Sequence, residues 1–330
     1  MSSRSPAGPG SGHWAKDIKA RSVRVKAPGK INASFRVGPL RGDGYHSVAS
    51  VYLAVSLYEE VLATAKPGTH GGDVTVGISP HSTLDADALA GIPLDDSNLA
   101  VRAAKLLAEI SENACGVHLE ITKRVPIAGG MGGGSADAAA ALLACEALWE
   151  SGLSREELSQ VASELGADVP FGLLGGAAVG LGVGDVLTAA LAPDELHWVL
   201  VQADFGLSTP AVYGQLDTLR AGTDVPDPGQ IDPHILAALR AGDAQALAAF
   251  LINDLQPAAL ALAPQLAGVL DAGRDHGALA VIVSGSGPTV AMLALDEAHA
   301  LELAGDLAAA GHNALAVRGP VHGAKIIFDS

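Results

Sequence analysis

From residue 23 the chain alternates apolar and polar side chains: Val23-Arg24-Val25-Lys26-Ala27 has the period of two that a half-buried strand requires. Pro28-Gly29 predicts a turn, after which Lys30-Ile31-Asn32-Ala33-Ser34-Phe35-Arg36-Val37 resumes the alternation. That spacing puts Lys30, Asn32 and Ser34 on one face and Ile31, Ala33, Phe35 and Val37 on the other; on pattern alone the polar face is expected in solvent. Residues 48–57, 60–65 and 73–78 read as further strands, and 79–95 as a loop with a short helical piece. The period lengthens to that of a helix over 99–110, behind a start signal at Asp95-Asp96-Ser97. A strand at 116–122, a glycine loop and a helix over 135–150 follow. Ser154-Arg155-Glu156-Glu157 then caps another helix, which Gly166 ends.

Past Gly182 the texture changes. A strand is predicted at 197–203, a helix over 212–219 behind Thr209-Pro210, and a long loop over 221–234. Helices over 235–252 and 264–276 precede the strand 280–283, a second glycine turn at 284–289 and a strand at 290–295. A helix over 296–310 and strands near 313–318 and 322–328 close the chain. The pattern describes an α+β protein in two domains, 23–185 and 186–330, behind a disordered tail over 1–22.

The glycine loop carries the clearest chemistry. Five of the six residues Gly129-Gly130-Met131-Gly132-Gly133-Gly134 lack a side chain, and Ser135 leads into an alanine-rich helix. A strand, a glycine loop and a helix N-terminus in that order form an anion cradle suited to nucleotide phosphates. The Walker pattern fails because Ser135 stands where its lysine belongs, and the dinucleotide fingerprint fails because Ser135 replaces its last glycine. The competing reading is a flexible turn in a chain with 40 glycines among 330 residues.

Composition narrows the partners. A formal charge of −16 argues against nucleic acid, which needs a basic footprint, but leaves room for a small anion held by amides and a few lysines. No stretch has the length and apolarity of a membrane span, and the first residues lack the apolar core of a signal peptide, so a cytoplasmic protein is expected. Cys115 and Cys145 are too few for a disulfide framework and read as core thiols. The eleven histidines show no metal-ligand spacing. Tyr45-His46 could stack on a flat ring or simply anchor a loop. Asp168, ahead of Val169-Pro170-Phe171, could accept a proton, hold a metal or bond its own turn.

Three ordered stretches, Ala27-Pro28-Gly29-Lys30-Ile31-Asn32, residues 126–139 and Ser284-Gly285-Ser286-Gly287-Pro288-Thr289, resemble the GHMP small-molecule kinases over residues 23–328. Asp43-Gly44-Tyr45-His46, Gly166-Ala167-Asp168-Val169-Pro170-Phe171 and Thr209-Pro210-Ala211-Val212-Tyr213 are similar to the branch acting on 4-diphosphocytidyl-2-C-methyl-D-erythritol. That resemblance implies a two-domain α+β fold with the active site between the halves, and ATP- and Mg²⁺-dependent phosphorylation of the substrate's 2-hydroxyl. Its implied partners are small molecules alone, with no nucleic acid or membrane, for a monomer or weak homodimer.

Carried over by resemblance, Asp168 is the general base and Lys30 its cationic neighbour. Asn32 and His46 hold the substrate, and Tyr45 with Tyr213 flanks the cytosine. Pro126, Gly129, Gly130, Met131, Gly132, Gly133, Gly134 and Ser135 wrap the ATP phosphates, with Asn98 and Lys123 near the nucleotide. Ser284, Gly285 and Gly287 close the phosphate end, and Ser135 is the candidate metal ligand. The chain departs from many relatives in having Ser135-Ala136-Asp137 where they have consecutive serines, and a metal-binding glutamate has no visible counterpart. A kinase of homoserine, mevalonate or a sugar, and a non-catalytic nucleotide-binding regulator, are the alternative readings.

Overall fold

The computed structural model describes residues 21–328. β1 (Ser22–Leu40) runs straight through Pro28-Gly29, so the expected turn is instead a register shift inside one strand. Proline has no N–H for the ladder, and the irregularity between Pro28 and Lys30 absorbs that loss. β2 (His46–His70) merges two expected strands, and β3 (Val74–Ile78) follows. Of the expected tail, residues 1–20 lie outside the described residues, and Ser22 already opens β1.

α1 (Ala86–Ala90) precedes α2 (Leu99–Ile110). The cap of α2 is Asn98, whose Oδ1 accepts from the Ala100 amide at 2.9 Å, rather than the expected Asp95-Asp96-Ser97. Asp95 instead accepts from the Ser97 amide within its own turn. β4 (Cys115–Thr122) leads to α3 (Gly133–Trp149), which begins two residues earlier than the pattern predicts. Thirteen of its seventeen residues are buried. Alanine's small side chain lets this helix pack closely against α2, β1 and β2. Cys145 is sealed in that core, where burial pushes its thiol pKa up; Cys115 is half-buried, and both are free.

α4 (Arg155–Ser163) has the predicted capping box, with Ser154 and Glu157 bonding each other's backbone. α5 (Asp168–Leu174) and the hairpin β5 (Ala177–Leu181) and β6 (Val186–Ala190) are absent from the sequence pattern. β7 (Leu196–Gln202), α6 (Thr209–Leu219), α7 (Pro233–Ala241) and α8 (Ala244–Ala248) follow. The single helix expected over 235–252 breaks because Gly242 takes a left-handed conformation and Asp243 caps a new helix. The rest are β8 (Ile252–Asn253), α9 (Gln256–Leu262), α10 (Leu266–Asp275), β9 (Ala280–Val283), β10 (Val290–Leu293), α11 (Glu297–Ala309), β11 (Asn313–Gly319) and β12 (Lys325–Ile327).

The first sheet has the order β12-β1-β2-β4-β3, with β5 and β6 extending from β2 and β8 parallel to β1. The second is antiparallel, β11-β7-β10-β9. The expected boundary at 185/186 does not follow the hydrogen bonding, because β6, β8 and β12 all return to the first sheet. One core joins the two: Ile31, Leu53 and Met131 pack in the same cluster as Trp198, Leu200 and Leu293. Among the described residues no helix is long and apolar enough to cross a membrane.

Candidate active site

A cleft of about 1020 Å³ opens where the glycine loop, β1, α5, α6 and the second glycine turn converge. That volume suits a nucleotide together with a second ligand. Gly132 caps α3 in the left-handed region with φ of 69°, and Gly130 has φ of 76°. A Cβ on Gly130 would collide with the Ser284 carbonyl oxygen, so the two glycine turns lie backbone to backbone. The Ser284 hydroxyl also donates to the Gly130 carbonyl at 3.2 Å. The N-terminus of α3 therefore faces the cleft with its amides uncovered by side chains, the geometry an anion requires.

Lys30 and Asp168 meet at this mouth. Lys30 Nζ lies 3.7 Å from Asp168 Oδ2, although 138 residues separate them. A Cβ on Gly132 would sit 3.5 Å from Lys30 Cε and 3.7 Å from Asp168 Oδ2, so ammonium, carboxylate and loop share one small volume. Lys30 is fixed at both ends: its amide donates to the Met131 carbonyl at 2.9 Å, and Nζ donates to Asn32 Oδ1 at 2.8 Å. Asn32 in turn donates to Ser50 Oγ, and Ser50 to the Ser34 carbonyl. The face expected in solvent is thus buried: the glycine loop at Gly132 and the second glycine turn at Gly285 close on it, with Ser50 and Tyr52 of the neighbouring β2 alongside. Asn32 lines the cleft, yet its carboxamide is taken by Lys30 and Ser50. Asp168 opens α5 rather than lying in a loop, with its side chain 32% exposed to the cleft.

Beneath the loop lies a buried charge cluster. Lys123 Nζ is 2.7 Å from both Glu59 Oε1 and Asp137 Oδ2. Glu59 also accepts from the Arg124 and Val125 amides at 3.1 Å. Burial, reinforced by the neighbouring Asp137, pushes Glu59 up to about 8, and burial moves Asp137 in the same direction. Burial alone would lower the Lys123 pKa, but the two carboxyls reverse it and raise it. Two carboxyls share one ammonium in a site nearly closed to water, and that burial is what pushes both upward. The expected nucleotide lysine therefore lines the cleft but is held from behind, tying the end of β4 to the second turn of α3.

At the opposite end, Tyr45 is 65% exposed on the rim, while His46 is buried against Tyr213 with ring centroids 5.1 Å apart. His46 Nδ1 contacts the Gly38 carbonyl at 3.0 Å and Nε2 lies 3.3 Å from Asp217 Oδ1. Both ring nitrogens are occupied, leaving the ring face beside Tyr213 toward the cleft. Burial and the charge of Asp168 raise the Tyr213 pKa.

Of the remaining expected residues, Pro126, Gly129, Gly133, Gly134, Ser135 and Gly285 line the cleft. Asn98 does too, but its side chain is spent on the Ala100 amide and the Pro93 carbonyl. Met131, Ser284 and Gly287 do not line it. The Met131 side chain is fully buried in the core, Ser284 turns to Gly130, and Gly287 packs under Val283 and Leu207. Sequence reasoning missed Tyr52, whose ring sits 5.5 Å from Lys30 Nζ and whose pKa is raised by burial and then by Asp168. It also missed Glu59, which the alternation marks: Leu57, Glu59, Val61 and Ala63 share an inward face, so a carboxyl there requires a buried partner.

The comparisons agree with this geometry. Residues 98–176 match the N-terminal domain of GHMP kinases and 235–313 their C-terminal region. A 4-diphosphocytidyl-2-C-methyl-D-erythritol kinase from Pseudarthrobacter chlorophenolicus is 67% identical over 313 residues, covering 94% of this chain and 97% of the relative. The like-named kinase from Thermobifida fusca is 50% identical, covering 93% and 98%. A crystal structure of 4-(cytidine 5'-diphospho)-2C-methyl-D-erythritol kinase superposes with a TM-score of 0.71 at 32% identity, covering 90% of this chain and 99% of that one. Homoserine kinase from Cytophaga hutchinsonii shares the fold at 20% identity and a TM-score of 0.69, covering 96% and 100%. With near full-length identity of this order, and a lysine and an aspartate meeting over a glycine loop, the chain belongs to the GHMP kinase family.

Proposed function

We propose that this chain transfers the γ-phosphoryl group of ATP to the 2-hydroxyl of 4-diphosphocytidyl-2-C-methyl-D-erythritol, giving the 2-phosphate and ADP. The observation that carries the reading is the 3.7 Å approach of Lys30 to Asp168 directly over Gly132. In it, the substrate alcohol sits against Asp168, which takes the hydroxyl proton as the oxygen attacks the γ-phosphorus. The bond from phosphorus to the bridging oxygen breaks and ADP departs with those electrons. Lys30 offsets the negative charge spread over the transferring group, and the amides of the loop and the α3 N-terminus hold the remaining phosphates. Positioning and electrostatics suffice for such a transfer.

The cytidine end fits the other end of the cleft. Tyr213 offers a ring face, Tyr45 on the rim can fold over the base, and His46 backs the pair. Ser135 and Asp137 would hold Mg²⁺, whose charge would offset that of the phosphates. The residues fit it: Ser135 lines the cleft, and Asp137 Oδ1 is a buried oxygen without a hydrogen-bond partner. Among the described residues no three acidic, histidine or cysteine side chains cluster so as to hold a metal ion by themselves. The reading includes a cytoplasmic location.

A coupled ADP-release assay across alcohols tests it. Turnover is expected with the cytidine diphosphate ester of methylerythritol and not with methylerythritol phosphate, homoserine or mevalonate. Equal turnover of an alcohol without the cytidine group would overturn it.

A further inference from the structure

Asn253 lies outside the cleft, yet its side chain makes three buried hydrogen bonds, two of them to the second glycine turn and the strand end that leads into it. Its Nδ2 donates at 2.7 Å to the Val283 carbonyl and at 2.7 Å to the Gly285 carbonyl, and its Oδ1 accepts from the Leu255 amide at 2.9 Å. The residue is 6% exposed. Two carbonyls on one side and an amide on the other leave one orientation for the carboxamide. The backbone at this point is anchored as well, since β8 pairs with β1 through Ile252 to Ser34 and Asn253 to Phe35. Asn253 thus bolts the turn to the strand that carries Lys30.

The held end of the turn faces the reacting groups. Gly285 has φ of 55°, and a Cβ there would lie 3.1 Å from Asn32 Oδ1 and 3.4 Å from Lys30 Nζ. This turn closes on the Lys30–Asn32 pair, and Ser284 clamps it to Gly130 of the phosphate loop. The neighbouring Gln256 holds the strand before the turn by accepting from the Val283 amide at 2.9 Å. We propose that Asn253 is a positioning residue for phosphoryl transfer, acting through the Gly285 turn to hold the Lys30 ammonium over Asp168. This rests on the alcohol kinase reading above.

Losing the two donated bonds leaves two buried carbonyls unpaired, and the turn relaxes to find other partners. Displacements of about 1 Å at a reacting centre cost on the order of 10²-fold in rate. Asn253→Asp keeps the shape and the bond to Leu255 but sets a carboxylate against two carbonyls. It is expected to lower kcat by about 10²-fold and to leave KM for ATP and for the alcohol within about threefold of wild type. Sites are counted by titration with a non-hydrolysable ATP analogue, so that misfolded enzyme is not read as slow enzyme.

The deciding measurement is a double-mutant cycle with Lys30→Ala, read by single turnover of labelled ATP. A residue that acts through Lys30 has little left to do once Lys30 is gone, so Asn253→Asp should cost less than about threefold on that background. An equal loss on both backgrounds, or a loss confined to KM for ATP, overturns the assignment. If Asn253→Asp does not fold, Gly285→Ala serves instead: it spares Asn253 and crowds Lys30 directly, and wild-type kcat for that variant would sink the idea. Should Lys30→Ala itself turn over like wild type, the kinase site fails rather than Asn253.

Discussion

Replacing Asp168 with asparagine separates chemistry from folding. The change is nearly isosteric and removes only the charge and the ability to accept a proton. As a general base Asp168 is expected to supply about 10²–10⁴-fold, or roughly 3–5 kcal/mol of transition-state stabilisation. Its contribution to folding is smaller. At 3.7 Å the Lys30–Asp168 pair is worth about 1 kcal/mol at the dielectric of water and about 4–5 near an effective constant of 20. With about a third of the aspartate side chain in solvent, the lower figure applies, so the melting temperature should move by no more than about 2–4 °C. ATP binding should survive, because the α3 N-terminus and the loop amides do not depend on the carboxylate. Steady-state ADP release and calorimetric titration with ATP check both halves. A variant within tenfold of wild-type kcat would refute the role, as would loss of ATP affinity equal to the loss of rate.

Tyr213→Ala should raise KM for the cytidine substrate by about 10–100-fold with kcat little changed, the size of one lost base stack; unchanged KM would remove Tyr213 from the base site. Met131→Ala should cost about 2–5 kcal/mol in denaturant unfolding, because its side chain fills the core shared by both sheets; a loss seen only in ATP affinity would return Met131 to the nucleotide site. Glu59 carries a pH signature. With its folded pKa near 8 against an ordinary 4.5, the folded state holds more protons than the unfolded state across that window, so this group's stabilisation falls as pH rises toward 8. Melting curves of Glu59→Gln between pH 5 and 8.5 should be flatter than those of wild type; parallel curves would contradict a raised Glu59 pKa.

Local pattern determined much of this protein. The glycine loop, α2, the capping box of α4 and the strand 280–283 follow from side-chain period, capping chemistry and glycine's conformational range, all of which act within a few residues. The motifs that resemble GHMP kinases named the lysine and the aspartate, and the relatives' identity agrees on the family.

What only the tertiary structure decided depends on contacts across long stretches of chain. The alternation of Lys30, Asn32 and Ser34 cannot tell a solvated face from one closed by two distant glycine turns, and the fold made it a buried relay. Pro28-Gly29 reads as a turn locally, but pairing with Tyr58 across the ladder keeps the strand going. Lys123 looks available until Glu59, 64 residues earlier, and Asp137 take its ammonium. Asn253 gives no local sign of its position, because the carbonyls it serves belong to a turn some 30 residues away. Side-chain type and period are written in the chain one residue at a time; which cation meets which carboxylate is settled only when distant segments pack, where burial makes every unpaired charge costly.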